Sequence, residues 1–240
     1  MELNYDFHLH SCLSPCGDND MTPYNLVNMA KIMGLDVIAL TDHNTCLNCP
    51  AAIKAGQEAG ILVIPGMELC TDEEVHVVCL FPDLEKALAF SGYVRERIPP
   101  VKNRSEIFGE QLILDGEDNL VGKEENLLSV ATDISIEGIS GFVNSFGGIC
   151  YPAHIDRDSN GIIAVLGTLP DSLGFKTVEF RDRENIKQYS KKFNLSKMTA
   201  VTNSDAHFLT GICDKENYFD LPDGLSSSSE IRAELFKLLR

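Results

Sequence analysis

The chain has 240 residues, 44% of them apolar and 23% charged, enough for one sizeable core. That composition excludes a disordered, collagenous or coiled-coil protein. Twenty basic against 36 acidic residues give a net charge of −16. A bulk basic footprint for nucleic acid or anionic membrane is therefore absent, although bound metal would supply a local positive field.

The first half alternates short β-branched runs with helical patterns. Asn4 to His10 reads as a strand, with Tyr5, Phe7 and Leu9 on one face and Asp6, His8 and His10 on the other. Thr22-Pro23 predicts a helix start, Leu26, Val27, Ala30 and Met33 its apolar stripe, and Gly34 its stop. Val37 to Leu40 is the second strand, Ala51 to Ala59 a helix, Ile61 to Ile64 the third strand, and Val75 to Phe81 the fourth. A helix over Leu84 to Arg97 follows.

Residues 98–133 break the rhythm and read as an inserted, lid-like segment. Gln111 to Asp115 and Leu120 to Lys123 form a predicted hairpin within it. The βα pattern then returns, with a helix from about Asp133 to Gly147 and strands at Ile149–Ala153, Thr177–Phe180 and Thr199–Thr202. Helices are expected around Glu184 to Lys192 and over Ser229 to Arg240. Repeated units of this length predict a single α/β domain over residues 1–240, its parallel sheet either open or closed as a barrel. With no basic, apolar leader and no membrane-length apolar run, a soluble cytoplasmic protein is expected, its eight cysteines thiols. Cys46-Leu47-Asn48-Cys49 has no second pair at zinc-ribbon distance, so it is a weak metal or redox signal.

The six histidines carry the functional argument. His8, His10, His43, His154 and His207 fall at or just beyond predicted strand ends, and His76 lies within the fourth strand. His8-x-His10 puts two imidazoles on one strand face by the period of two, and Asp205-x-His207 repeats the device. Asp42, next to His43, and Glu68, after the third strand, bring carboxylates to the same end. In parallel α/β folds catalytic groups gather at the carboxyl ends of strands. Singly each residue reads as ordinary strand-end polarity; together they predict a multi-metal site. Nitrogen and carboxylate ligands suit Zn²⁺, Mn²⁺ or Fe²⁺ better than Ca²⁺.

These segments resemble the PHP (polymerase and histidinol phosphatase) domain family. The resemblance rests on Phe7-His8-Leu9-His10-Ser11, Thr41-Asp42-His43-Asn44, Ile64-Pro65-Gly66-Met67-Glu68 with His76, Pro152-Ala153-His154, and Asn203-Ser204-Asp205-Ala206-His207, in the family's order. It implies a distorted (β/α)7 barrel with two or three divalent ions in its mouth. His8, His10, Glu68 and Asp205 would hold one ion. Glu68 would bridge to a second, held also by His76 and His154, and His43 with His207 would hold a third. The loop Ser14-Pro15-Cys16-Gly17-Asp18 departs from the family's pattern, so Asp18 is the candidate completing the third site, with Cys16 and Asp20 behind it. Asp42 is read as a partner that orients a ligand imidazole.

The implied reaction is phosphoester hydrolysis by a water activated between two ions roughly 3.5–4 Å apart. Catalysis is expected to depend on Glu68, Asp205 and His207. Arg157 either binds a substrate phosphate or pairs at the surface with Asp156 or Asp158, and Lys102, Arg104, Arg181 and Arg183 are weaker versions of the same idea. The charge balance favours a small phosphomonoester, with no long nucleic acid or membrane as partner. The alternatives are a nucleotide or oligonucleotide diesterase, a metal-dependent hydrolase of C–N bonds, and a non-catalytic metal-binding protein.

Overall fold

The computed structural model describes all 240 residues. A six-stranded sheet forms its centre, in the order β10-β1-β2-β3-β4-β7. Its strands are β1 (Glu2–Leu9), β2 (Val37–Leu40), β3 (Leu62–Cys70), β4 (His76–Leu80), β7 (Ile149–Pro152) and β10 (Tyr218–Asp220). The hairpin β5 (Leu112–Leu114) and β6 (Leu120–Lys123) stands apart, as does the parallel pair β8 (Thr177–Phe180) and β9 (Thr199–Thr202). Around them run α1 (Pro23–Ile32), α2 (Cys49–Ala59), α3 (Leu84–Arg95), α4 (Ser105–Phe108), α5 (Ile139–Ser145), α6 (Ile162–Leu166), α7 (Asn185–Lys192) and α8 (Ser228–Leu238). None of these helices is long and apolar enough to cross a membrane. All eight cysteines are free thiols.

Local chemistry accounts for the boundaries. The Thr22 hydroxyl accepts from the Asn25 amide and Pro23 opens α1, while Ser227 and Glu230 cap α8 reciprocally. The helix expected from Asp133 begins only at Ile139, and β10 and α6 lacked the pattern length to be foreseen.

Both faces of the sheet are covered, which is why its strands read as near-continuous apolar runs. One face packs on the helices through a 38-residue cluster that includes Leu26, Ile38, Met67, Val77 and Phe90. The other encloses a 16-residue cluster in which Tyr5, Phe7, Val78 and Tyr151 meet Leu235, Phe236 and Leu239 from the C-terminal segment. Strict alternation fails in β1. Its register against β2 shifts between Asp6 and Leu9, and Leu9 joins the helix-side cluster while Tyr5 and Phe7 stay with the enclosed one.

One expectation reverses. The fourth strand is antiparallel to both neighbours, with Cys70 opposite His76 and Glu68 opposite Val78. Thr71 to Val75 closes this β3–β4 hairpin, with Glu74 at φ +62°. His76 therefore opens its strand at the end where β3 finishes, which brings it to Glu68. Gly66 makes the pairing possible, because a Cβ there would lie 2.6 Å from the Cys79 carbonyl oxygen.

Residues 98–133 are braced by buried amides. Gln111 donates to the Glu124 and Asn126 carbonyls and accepts from Leu128. Asn48 bonds Ser11, Leu112 and Leu114, and Asn44 bonds the Leu128 and Val130 carbonyls.

Candidate metal centre and active site

Glu68 is the hub. Its Oε1 lies 2.8 Å from His76 Nδ1, 3.0 Å from His154 Nε2 and 3.3 Å from His8 Nε2. Its Oε2 lies 3.0 Å from His43 Nδ1 and 3.4 Å from His10 Nε2. Asp205 Oδ1 faces the same space, 3.3 Å from His10 Nε2 and 3.5 Å from His8 Nε2. His207 stacks on His10 with ring centroids 4.2 Å apart. Ligand atoms gather into three overlapping groups: His8, His10, Glu68 and Asp205; His43, Glu68 and His76; and His10, His43 and His207.

Hydrogen bonds on the far sides of the rings decide what these nitrogens present. His8 Nδ1 donates to Glu179 Oε1 at 2.9 Å. His10 Nδ1 lies 2.9 Å from Ser14 Oγ, and that hydroxyl spends its own hydrogen on Asp42 Oδ1 at 2.7 Å. The ring must therefore be the donor to Ser14. Both Nε2 atoms, 3.1 Å apart, thus aim lone pairs at each other and at two carboxylates. Such a convergence repels unless a cation sits inside it. His43 Nδ1 is buried and makes no hydrogen bond although Glu68 Oε2 lies 3.0 Å away, a third imidazole nitrogen aimed at a carboxylate. The residues present fit divalent metal.

Without metal, protons take the cation's place. Burial disfavours a charged imidazole at His8, but Glu179, Glu68 and Asp205 outweigh it and hold its pKa well above 6.5. His10 and His43 are raised too, each against burial and each by Glu68, with Asp205 helping at His10. Glu68 is held well below the usual carboxylate range, since His76, His8 and His43 overcome its burial. His207 goes the other way: burial and the neighbouring His10 push it down to about 3.

Two site residues occupy left-handed backbone, His154 at φ +29° and Asp205 at φ +51°. Neither is glycine, and such conformations concentrate where the surroundings hold a functional side chain in place. Glu179 does that work. Besides His8, it accepts from the His154 amide at 3.0 Å and from Asn203 Nδ2 at 2.7 Å. Sequence reasoning missed Glu179, Ser14 and Asn203. The available signal for Glu179 was a lone carboxylate in the apolar strand Val178-Glu179-Phe180. Asp42 touches no ligand imidazole directly and is linked to His10 only through the Ser14 hydroxyl.

Asp18 stands outside the cluster. It is exposed, its carboxylate accepts from the Asp20 amide at 2.8 Å, and only its backbone touches the site, donating to the His207 carbonyl. Cys16, also exposed, has its thiol against His43, and Asp20 is exposed.

Arg157 pairs with neither Asp156 nor Asp158. It donates to Asp205 Oδ2 at 2.9 Å, and Arg181 reaches the same oxygen at 3.5 Å. Both arginines, with Arg183, line an open cleft of about 730 Å³ beside the histidine cluster. Arg183 is spent partly on the Glu216 carbonyl and Asn217. Lys102 pairs with Glu125 in the 98–133 segment, and Arg104 faces the Phe108 ring there.

Residues 6–164, well over half of the chain, match the family model of the PHP domain. The chain belongs to the PHP domain family. Family membership and the histidine–carboxylate cluster make it a metal-dependent hydrolase of the phosphoesterase class.

Among relatives, a 5'-3' exoribonuclease of Haemophilus influenzae is 39% identical over 83 residues, 33% of this chain and 29% of that protein. The match thus spans less than a third of that relative's length. Among solved structures, the lesion-specific endonuclease PfuEndoQ from Pyrococcus furiosus superposes with a TM-score of 0.69 at 20% identity, covering 97% of this chain and 55% of that one. An endonuclease Q complex with a 27-mer duplex carrying an abasic lesion gives 0.63 at 20% identity, with 97% and 56% covered.

These relatives overturn the expectation of a small phosphorylated partner with long nucleic acid excluded. Net charge was the wrong guide, because it sums the whole surface. The field a substrate meets is set locally, and in this cleft Arg157, Arg181 and Arg183 stand among Asp156, Asp182, Glu184 and Glu216, so a bound cation would decide its sign.

Proposed function

We propose that this PHP domain is a metal-dependent phosphodiesterase that removes nucleotides from the 5′ end of a nucleic acid strand. The observation that carries it is the double life of Asp205. One oxygen faces His8 and His10, while the other holds Arg157 and Arg181 at the inner end of the cleft. A phosphodiester set against the cluster thus lies within reach of two guanidinium forks, whose geometry matches phosphate oxygens. Arg183 lines the same cleft, whose volume of about 730 Å³ leaves room for more than one phosphate. The exoribonuclease and endonuclease names among the relatives point to the same substrate class.

In this reading His8, His10, Glu68 and Asp205 would hold one ion, and Glu68 would share a second with His76 and His154. His43 and His207 would hold a third. Bound divalent metal supplies an activated water and neutralises phosphoryl charge. The protein's own groups do the rest. Glu179 and Ser14 keep the His8 and His10 lone pairs aimed inward, and Arg157 and Arg181 exchange Asp205 for a phosphate oxygen. We read the fold as a distorted (β/α)7 barrel in one domain, with residues 98–133 inserted. The Leu9–Ala206 bridge and the Ile155-to-Glu179 bond, at its two seams, support that reading.

The test is a single-stranded oligoribonucleotide bearing a 5′ phosphate, incubated with protein stripped by chelator and reloaded with Mn²⁺. Chelator-sensitive release of mononucleotides from the 5′ end is expected. Internal fragments appearing first would move the assignment to an endonuclease, and no cleavage by folded, metal-loaded protein would remove it.

A further inference from the structure

Phe208 is a large side chain beside the site that the mechanism leaves unused. It directly follows His207, yet its side chain is 56% exposed. Its backbone is extended, at φ −148° and ψ 151°, where it opens the single 3₁₀ turn Leu209–Gly211. The ring lies against that turn's glycine. A Cβ at Gly211 would come 3.0 Å from Phe208 Cε2 and within 3.4 Å of two further ring atoms. Gly211 also lines the arginine cleft. The phenyl is thus held between a histidine of the metal cluster and the cleft that Arg157 and Arg181 line, supported on one side by the backbone of Gly211.

A scattered exposed hydrophobe needs no explanation, but this one has a specific setting. Arg157 and Arg181, held at Asp205, offer contacts to a phosphate, and an aromatic face near them complements an unpaired base, because every base has a π-face to stack. No aromatic side chain lines the cleft itself, so Phe208, packed on its Gly211, is the aromatic surface at hand.

Building on the phosphodiesterase reading, we propose that Phe208 is a stacking platform for the unpaired base of the terminal nucleotide. Phe208 then sets specificity: it favours a single-stranded or frayed end carrying a base over a paired or baseless one.

The experiment compares two single-stranded 5′-phosphorylated oligonucleotides, one intact and one abasic at the terminal nucleotide, against wild type, Phe208→Ala and Phe208→Trp. Turnover is read as mononucleotide release and binding by fluorescence anisotropy. Wild type is expected to bind the intact oligonucleotide about 5- to 150-fold more tightly than the abasic one. Phe208→Ala should lose that preference through KM while binding the abasic substrate normally, and Phe208→Trp should restore it. An equal effect on both substrates, or none, overturns the platform. Wild type that turns over neither substrate refutes the phosphodiesterase reading instead, and the base dependence of Kd still decides Phe208. The ring's exposure predicts an unchanged Tm for all three proteins.

Discussion

Glu179→Gln tests the claim that the metal cluster is aimed from behind. The carboxylate is buried and accepts three bonds, from His8 Nδ1, the His154 amide and Asn203 Nδ2. Glutamine keeps the volume and one acceptor, but turns an amide NH₂ toward the Asn203 NH₂. Asn203 cannot flip to relieve this, because its Oδ1 already accepts from the Phe7 amide at 2.8 Å. One buried donor is left without a partner, at about 1–3 kcal/mol, or about 2–4 °C in Tm per kcal/mol for a chain of this size. The remaining oxygen still accepts from His8 Nδ1, but the charge that raises that ring's basicity disappears, and metal binding should weaken by about tenfold, the low end for such a partner, equivalent to about 1.4 kcal/mol. Calorimetric titration of stripped protein with Mn²⁺, alongside thermal unfolding with chelator, separates the two effects. A lower Tm with unchanged metal affinity would make Glu179 a structural prop and refute its role in orienting His8.

Ser14→Ala should weaken Mn²⁺ binding by about tenfold, since the ring of His10 loses the acceptor that holds its tautomer. An unchanged affinity would show that the Asp42–Ser14 relay does not reach the metal. Glu68→Gln and His207→Ala should each abolish turnover while the circular dichroism spectrum is kept, and substantial activity in either variant sinks the proposed ligand set. Arg157→Ala should raise KM about tenfold or more with a smaller change in kcat; an unmoved KM would confine that guanidinium to Asp205. pH separates the stripped and loaded proteins. His8, His10 and His43 have folded pKa values raised above 6.5. Their stabilisation is complete below 6.5 and is lost as pH climbs through the raised values. His207, depressed to about 3, has the opposite sign and costs stability as pH falls below 6.5. Stripped protein should therefore lose Tm as pH rises above 6.5, whereas Mn²⁺-loaded protein, with metal in place of those protons, should not. Parallel Tm curves for the two would contradict proton–metal exchange at the cluster.

Much of the site was legible in one dimension because its residues sit at strand ends, where a short pattern fixes both element and position. His8 and His10, His43, Glu68, His154, Asp205 and His207 could all be placed that way and all reach one space, whereas Asp42 lies behind Ser14. Asp18 could not, because a loop residue's direction depends on the turn around it, and here the Asp20 amide claims the carboxylate. Nor could Arg157 be resolved from its acidic neighbours, since its partner Asp205 lies 48 positions away.

What the amino-acid order determined by itself was local: the alternation of strands and helices, their caps, and which end of each strand carries an imidazole or a carboxylate. Periodicity and capping act over a few residues, so they can be read from a few residues. The tertiary structure decided everything that depends on which segments meet. It turned β4 antiparallel so that His76 faces Glu68, shifted the register of β1, and set Glu179 behind His8. It also gathered three arginines of a strongly acidic chain into one cleft. Electrostatic interaction falls with distance in space rather than along the chain, so the field at the site became visible only once the fold had set those distances.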